Sequence, residues 1–386
     1  MQKSRILVTC PKAIPPILAN EIRALGFPVL AEKEAAVETE GTLADTMRLN
    51  LWLRTGHRVL YLLKDFRSRT PEELYSNLAR LPWEDYLDAK TYLSITSAVH
   101  NDTIKDTRFA NLKCKDAIVD RLKRKLGRRP DSGPERTGAV VFLYWKEQEA
   151  SIYLDTSGES LAKRGYRKLP LKAPMQETLA AATILATGWK GQNNFINPMC
   201  GSGTLAIEAA WLALAKPPGL LRNNFGFMHL RGFNQTTWRE LLAQVKASIK
   251  KNLAAKIIAT DNDAQAIAAA RKNAATAGVD HLIQFDVCDY AATAIPTGGG
   301  VIMLNPEYGE RMGEQAQLQA IYPGIGDWFK QKCAGYAGYV FTGNLELAKK
   351  VGLRPSRRIP FFNGAIACRL LEYELYEGSK PRARLA

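Results

Sequence analysis

Apolar and polar positions follow one texture up to about Arg167 and another beyond it. In the first stretch, residues 6–9 form a short apolar run that predicts a strand. Residues 14–25 have helical spacing closed by Gly26, a suitable C-cap. Residues 29–40 leave room for one or two short strands, 43–53 are amphipathic, and 58–63 predict another strand. Thr70, Pro71, Glu72 and Glu73 carry the chemistry of a helix start: a hydroxyl cap, a proline whose missing N–H costs nothing there, and early acids. A strand at 92–99, a strongly basic helix at 108–126 and a hairpin from 139–145 and 150–154 complete this part. It lacks a glycine-rich phosphate loop, so it predicts an α+β module of another kind. After Arg167, Pro170 and Pro174 bracket a connector and 176–187 predict an Ala-rich helix. From there strand, glycine-rich turn and helix recur, as in a doubly wound, mostly parallel α/β sheet.

Composition narrows the class. The 386 residues, 46% hydrophobic and 24% charged, suit two or three globular domains. No apolar run approaches the ~20 residues that span a bilayer. The first ten residues run into Pro11, Pro15 and Pro16 without an apolar core, so no signal peptide is expected and the chain is expected to be cytoplasmic. Six cysteines and four histidines are scattered, which predicts reduced thiols and neither a metal site nor a disulfide framework. The net charge of +15 favours a polyanionic partner, since phosphate contacts release counterions. No basic amphipathic helix with an aromatic face supports a membrane surface instead.

Three strand ends carry candidate chemistry. Phe195 and Ile196 lead into Asn197, Pro198, Met199, Cys200, Gly201, Ser202, Gly203 and Thr204, followed by a helix. Glycines there let a ligand approach the backbone, and the helix start offers free N–H donors. The third glycine of a dinucleotide fingerprint is missing, which argues against a nicotinamide-dependent dehydrogenase. Asp261, with Asn262 and Asp263, ends the next apolar run and suits the two hydroxyls of a ribose. The structural alternative is a plain helix N-cap. Residues 216–253, containing Pro217, Pro218 and Gly219, separate the two strands as an insertion. Asp289 ends a third strand, where it suits an adenine amino group.

The apolar residues 301–304 deliver Asn305, Pro306, Glu307 and Tyr308. The Asn305 side-chain carbonyl and the Pro306 backbone carbonyl form a pair of acceptors for the hydrogens of an aromatic amine. The amine's lone pair is then left to meet an electrophilic methyl group, with Tyr308 as a stacking face. The bland alternative is a turn built from Asn-Pro and Tyr-Gly.

Together these motifs resemble the THUMP-containing RNA methyltransferases, and within them the RlmL-type family that makes N(2)-methylguanosine in 23S rRNA. The resemblance also rests on Asn101–Lys105, Lys113–Asp120, Arg164–Arg167 and Ala173–Leu179, written here by their end residues. It implies a ferredoxin-like segment over 1–44, a THUMP-like RNA-binding domain over 45–157, a connector over 158–174 and a Rossmann-like methyltransferase domain over 175–386. It implies that Gln176, Glu177, Thr178, Asn197, Pro198, Cys200, Gly201, Ser202, Gly203, Thr204, Asp261, Asn262 and Asp289 line an S-adenosylmethionine pocket. Asn305, Pro306 and Tyr308 would hold the target guanine. Two departures stand out: the family usually has Asp at position 197, and its N-P-P-Y is N-P-E-Y here, so a buried Glu307 would need a partner such as Arg311. Some relatives carry a second methyltransferase domain, which these 386 residues are not expected to include.

Lys105, Arg108, Lys113, Lys115, Lys123, Arg124, Lys125, Arg128 and Arg129 crowd one stretch and are the expected RNA contacts, where the bland alternative is a solvated helix face. The expected partner is 23S rRNA, with tRNA as the alternative. The motif alone leaves guanine and adenine open, and a catalytically inert RNA-binding assembly factor is the rival of another class.

Overall fold

Apolar faces repeating every two residues in strands and every 3.6 in helices produce two sheets, each with its own helices. The computed structural model describes residues 3–101, 104, 106–169, 174–307 and 312–376, with backbone alone at 312–318. In chain order the first elements are β1 (Ser4–Thr9), α1 (Pro15–Ala24), β2 (Ala31–Lys33), β3 (Ala36–Gly41), α2 (Asp45–Trp52), β4 (Arg58–Arg67) and α3 (Pro71–Ala79). They are followed by β5 (Leu93–His100), α4 (Thr107–Leu126), β6 (Ala139–Lys146) and β7 (Glu149–Asp155). Then come α5 (Glu177–Ala186), β8 (Asn194–Pro198), α6 (Thr204–Ala213), α7 (Gln235–Ser248), β9 (Ile257–Asp261), α8 (Ala264–Ala277), β10 (Ile283–Val287) and β11 (Gly300–Leu304). The last are α9 (Met312–Lys332), β12 (Tyr336–Thr342), α10 (Leu345–Lys349), β13 (Arg357–Asn363) and β14 (Ile366–Glu374). Two units result: Met1–Pro11, Leu18–Lys163 and Pro218–Val245 form one, and Lys12–Ile17, Arg164–Pro217 and Lys246–Ala386 the other.

The first unit holds a seven-stranded sheet in the order β2-β3-β1-β4-β7-β6-β5, antiparallel except for the β5/β6 pair. It runs through residue 44 without a break, because β1 pairs with both β3 and β4. The basic helix α4 buries a stripe of Ala110, Cys114, Ala117, Ile118 and Leu122 at helical spacing. Asp106 caps its start, and Gly127, at φ 72°, closes its end in the left-handed conformation. The predicted start of α3 is present, with the Thr70 hydroxyl accepting from the Glu73 N–H at 3.2 Å.

The insertion's central part belongs to this first unit. The Phe227 N–H donates to the Thr156 carbonyl at 3.0 Å, and Phe225, Phe227 and Trp238 bury in one aromatic cluster. Gly219 explains its own presence: a Cβ there would lie 2.8 Å from the Leu51 Cα.

The second unit holds the order β10-β9-β8-β11-β12-β14-β13. The strands from β10 to β12 are parallel, while β14 runs antiparallel between β12 and β13. Chain order reverses between β8 and β11, the switch point at which doubly wound sheets open a crevice at the carboxyl ends of their strands. Val301, Ile302, Met303 and Leu304 are all buried, the near-continuous apolar run of a sheet covered on both faces.

α4 is fastened to the first unit by Arg121, whose guanidinium donates two hydrogen bonds to Glu84, at 3.0 and 2.6 Å. The Arg121 hydrogen bond holds the Glu84 carboxyl down at about 2, from the ordinary 4.5. A depressed folded-state value means a contribution present above the unfolded value and lost as pH falls towards 2. Glu84→Gln is therefore expected to lower the melting temperature at pH 7, with the gap from wild type closing in melts taken down through pH 4.5 to 2.

Candidate active site

The turn after β8 bends sharply. Met199, Gly201 and Gly203 have φ of 55°, 54° and 82°, the left-handed region that a non-glycine such as Met199 enters only at some strain. The Asp261 carboxylate, at the end of the neighbouring β9, holds this turn in place. One oxygen accepts from the Gly201 N–H at 2.9 Å and the other from the Asp263 N–H at 3.1 Å. The N–H of Cys200 donates to the Thr260 carbonyl at 2.9 Å. Asp263, not Asp261, caps α8, accepting from the Gln265 N–H at 2.8 Å. The two glycines differ in purpose. A Cβ on Gly201 would meet nothing within 4 Å, whereas one on Gly203 would lie 3.0 Å from the Ala270 Cβ.

The other expected pocket residues are placed unevenly. Asn197 is fully buried and its amide donates to the Met303 carbonyl at 2.9 Å. The β8/β11 ladder stops at Ile196 and Ile302, so this side chain carries the connection one step further. An Asp could not donate this bond, which gives the departure from the family's usual residue a local reason. The Asn197 Oδ1 is buried with no partner among the described residues. Cys200, Ser202 and Thr204 are buried, and burial pushes the Cys200 thiol up, so it does not present a thiolate. Pro198 ends β8, while Asn262 and Asp289 are exposed. Asp289 accepts from the Ala291 N–H at 2.9 Å. Gln176 is exposed, Thr178 is buried, and Glu177 lies 3.6 Å from Arg167. Burial pushes the Glu177 carboxyl up and the Arg167 charge opposes that shift.

β11 lies directly beside β8 and delivers Asn305 at the same sheet edge as Gly201. Asn305 Oδ1 is buried and has no hydrogen-bond partner among the described residues. A buried acceptor left unsatisfied costs about 1–3 kcal/mol, so such an atom marks a place where a donor is expected to arrive. Pro306 is buried. Glu307 is exposed, which corrects the expectation of a buried carboxylate in need of a partner: it stays in water. Tyr308 and Arg311 lie outside the described residues. Among the described residues no group of three or more His, Cys, Asp or Glu side chains is placed to hold a metal ion.

Two residues received no role at the site from sequence, although one, Arg167, closes the motif Arg164–Arg167. Arg167 donates from Nη2 to the Met175 carbonyl at 2.6 Å and to the Thr204 hydroxyl at 3.0 Å. Asn273, on α8, donates to the Ser202 carbonyl at 3.1 Å and accepts from the Lys168 N–H at 2.9 Å. Its signal was available: a single amide on a helix face otherwise made of Ala266, Ile267, Ala270, Ala274 and Ala277.

In the first unit, α4 sorts the expected RNA contacts. Arg108 pairs with Asp106, Lys115 with Asp116, and Arg129 reaches Asp116 at 4.0 Å. Lys113 lies over the ring of Phe109. Lys123, Arg124, Lys125 and Arg128 are exposed and in no ion pair among the described residues. Lys105 lies outside the described residues. The last-turn cations also complement the helix dipole. Among the described residues no helix is long and apolar enough to cross a membrane.

A doubly wound sheet with a glycine turn, a carboxylate clamp and an Asn-Pro end at its switch point is the architecture of a Rossmann-like, nucleoside-binding domain. Comparison with known proteins narrows this. Residues 164–372 match the RMKL-like methyltransferase domain, 5–60 the RlmL ferredoxin-like domain and 68–155 the THUMP domain. The chain belongs to the family defined by that RMKL-like methyltransferase domain. It is 37% identical to the ribosomal RNA large subunit methyltransferase K/L of Syntrophotalea carbinolica, covering 97% of this chain and 54% of that protein. The chain thus spans about half the length of such curated relatives. It is 33% identical to slr0064 of Synechocystis, provisionally named an RNA methyltransferase, covering 95% of this chain and 96% of that one. The crystal structure of SMU.472, provisionally named a methyltransferase and complexed with SAH, superposes with a TM-score of 0.88 at 26% identity, over 98% and 100% of the two chains.

The two glycines generate an ordering. Gly201→Ala should cost roughly 1–2 kcal/mol for left-handed backbone alone. Gly203→Ala adds a collision with α8 and should lower the melting temperature further; the reverse order in thermal melts would contradict the packing described.

Proposed function

We propose that this chain transfers a methyl group from S-adenosylmethionine to the exocyclic 2-amino group of a guanine in 23S rRNA. The observation that carries the reading is the buried Asn305 Oδ1, without a partner among the described residues, one strand away from a glycine turn whose first glycine opens onto free space. The cofactor suits these residues: backbone can be approached closely at Gly201, and Asn197 Oδ1 is a second buried acceptor without a partner among the described residues. S-adenosylmethionine supplies an electrophilic methyl group on a sulfonium. SAH in the related SMU.472 structure supports the same cofactor class here.

The protein's part is orientation. The guanine amino group's lone pair is delocalised into its ring. Asn305 Oδ1 and the Pro306 carbonyl accept its two hydrogens and turn the lone pair out of the ring plane, towards the methyl carbon. The new N–C bond forms as the S–C bond breaks, and one amine proton leaves to water. No nucleophilic side chain takes part in this scheme. Tyr308 supplies the stacking face that the resemblance implies. A base must leave its helix to reach such a crevice, at a cost of about a few kcal/mol that phosphate contacts elsewhere offset. The exposed cations of α4 are the proposed source of those contacts, through the shape and backbone of structured RNA.

Both acceptors would also fit an adenine 6-amino group. Guanine rests on the resemblance of the motif set, and the large ribosomal RNA on relatives named for it.

Asn305→Ala is expected to abolish transfer of tritiated methyl to protein-free rRNA while SAH affinity by calorimetry stays within a fewfold. Undiminished turnover would remove Asn305 from the reaction. Replacing Lys123, Arg124 and Lys125 by Glu should weaken rRNA binding and reduce the slope of log K against log salt, by up to ~0.9 per lost phosphate contact. An unaltered slope in filter-binding assays would place the RNA on another surface.

A further inference from the structure

We infer that Asn273 and Arg167 are positioning residues for the cofactor, lacing the connector at 164–169 to both sides of the glycine turn. The inference rests on the cofactor reading above and adds to it two residues whose bonds run to the glycine turn and its flanks. Asn273 is 1% exposed and uses both ends of its amide. Its Nδ2 donates to the Ser202 carbonyl at 3.1 Å and the Leu169 carbonyl at 3.3 Å, while its Oδ1 accepts from the N–H groups of Lys168 and Leu169 at 2.9 and 3.2 Å. A primary amide buried on an apolar helix face is costly unless all its bonds are made. Here all four are, so the arrangement is tightly specified. Arg167 forms the second lace, joining the Thr204 hydroxyl, the Met175 carbonyl and the Glu177 carboxylate.

The connector itself is anchored just upstream. Arg164 Nε lies 3.3 Å from the Glu208 carboxylate on α6, and the Tyr166 hydroxyl donates to it at 3.2 Å. The turn between Gly201 and Thr204 is therefore held from one side by Asp261 and from the other by the connector. The Ser202 carbonyl shares its peptide plane with the Gly203 N–H, which donates to the Cys200 carbonyl at 2.9 Å. That carbonyl in turn shares its peptide with the Gly201 N–H, so the hold on Ser202 passes to the backbone a ligand would meet at Gly201.

The test uses the whole 386-residue chain with SAH in calorimetry, thermal melts, and KM and kcat for S-adenosylmethionine. Asn273→Asp keeps the acceptor for Lys168 and Leu169 but replaces the donor to Ser202 with a carboxylate oxygen. Arg167→Lys keeps a charge facing Glu177 but cannot bridge the same three groups. Each is expected to weaken SAH by ~10-fold or more and to raise KM by a like factor, with kcat at saturation within a fewfold. A purely structural role would lower the melting temperature and leave SAH affinity of the folded protein unchanged. SAH binding within twofold of wild type in both variants would overturn the inference. Should Asn273→Asp fail to fold, Arg167→Lys decides. A wild-type chain that does not bind SAH would instead overturn the cofactor reading.

Discussion

The Asp261 carboxylate is the small constraint on which the second unit's crevice depends. Neighbouring parallel strands β8 and β9 end side by side, and each must turn away without a ladder to guide it. One carboxylate, accepting from Gly201 on the first turn and Asp263 on the second, ties the two turns together. Asn197 makes the matching tie across the other boundary, from β8 to β11. The end of β8 is thus tied to both neighbouring strands by side chains, in addition to the backbone bond from Cys200 to Thr260.

The chain distributes two physical tasks over two units. The second unit supplies, at the carboxyl ends of β8 and β11, two buried acceptors without a partner among the described residues, Asn197 Oδ1 and Asn305 Oδ1. The first supplies α4, which combines an apolar stripe for anchoring with exposed cations at its C-terminal end. The chain passes back between the units at 218–245, where an aromatic cluster secures the returning segment to the first. Membership of the RMKL-like methyltransferase family fits this division, and the proposed transfer to a nucleobase uses both tasks.

Much of this was legible in the sequence, for reasons that differ by element. α3 was readable because Thr70 and Pro71 are local signals that act within one turn. The central strands β8, β9 and β11 were readable because burial on both faces writes continuous apolar runs. The insertion was legible as an interruption, but not where its middle packs. That depends on Phe225, Phe227 and Trp238 meeting the end of β7 across a long sequence separation. β12, β13 and β14 carried no motif and were not assigned, although they complete the sheet. At the site, Asn305 and Asp261 announced themselves by strand-end position. Asn273 left only the trace of one amide on an apolar helix face, and nothing in the sequence pattern shows that its partners are backbone groups of the turn and the connector, or that Arg167 meets Met175, Thr204 and Glu177. The exposure of Glu307 depends likewise on which way one side chain turns.

The most direct measurement is nucleoside mass spectrometry of protein-free large-subunit rRNA after incubation with the chain and isotopically labelled S-adenosylmethionine. The account expects label in N(2)-methylguanosine, confined to one region of the RNA. Label in N(6)-methyladenosine, or SAH binding without label in any nucleoside, would contradict it.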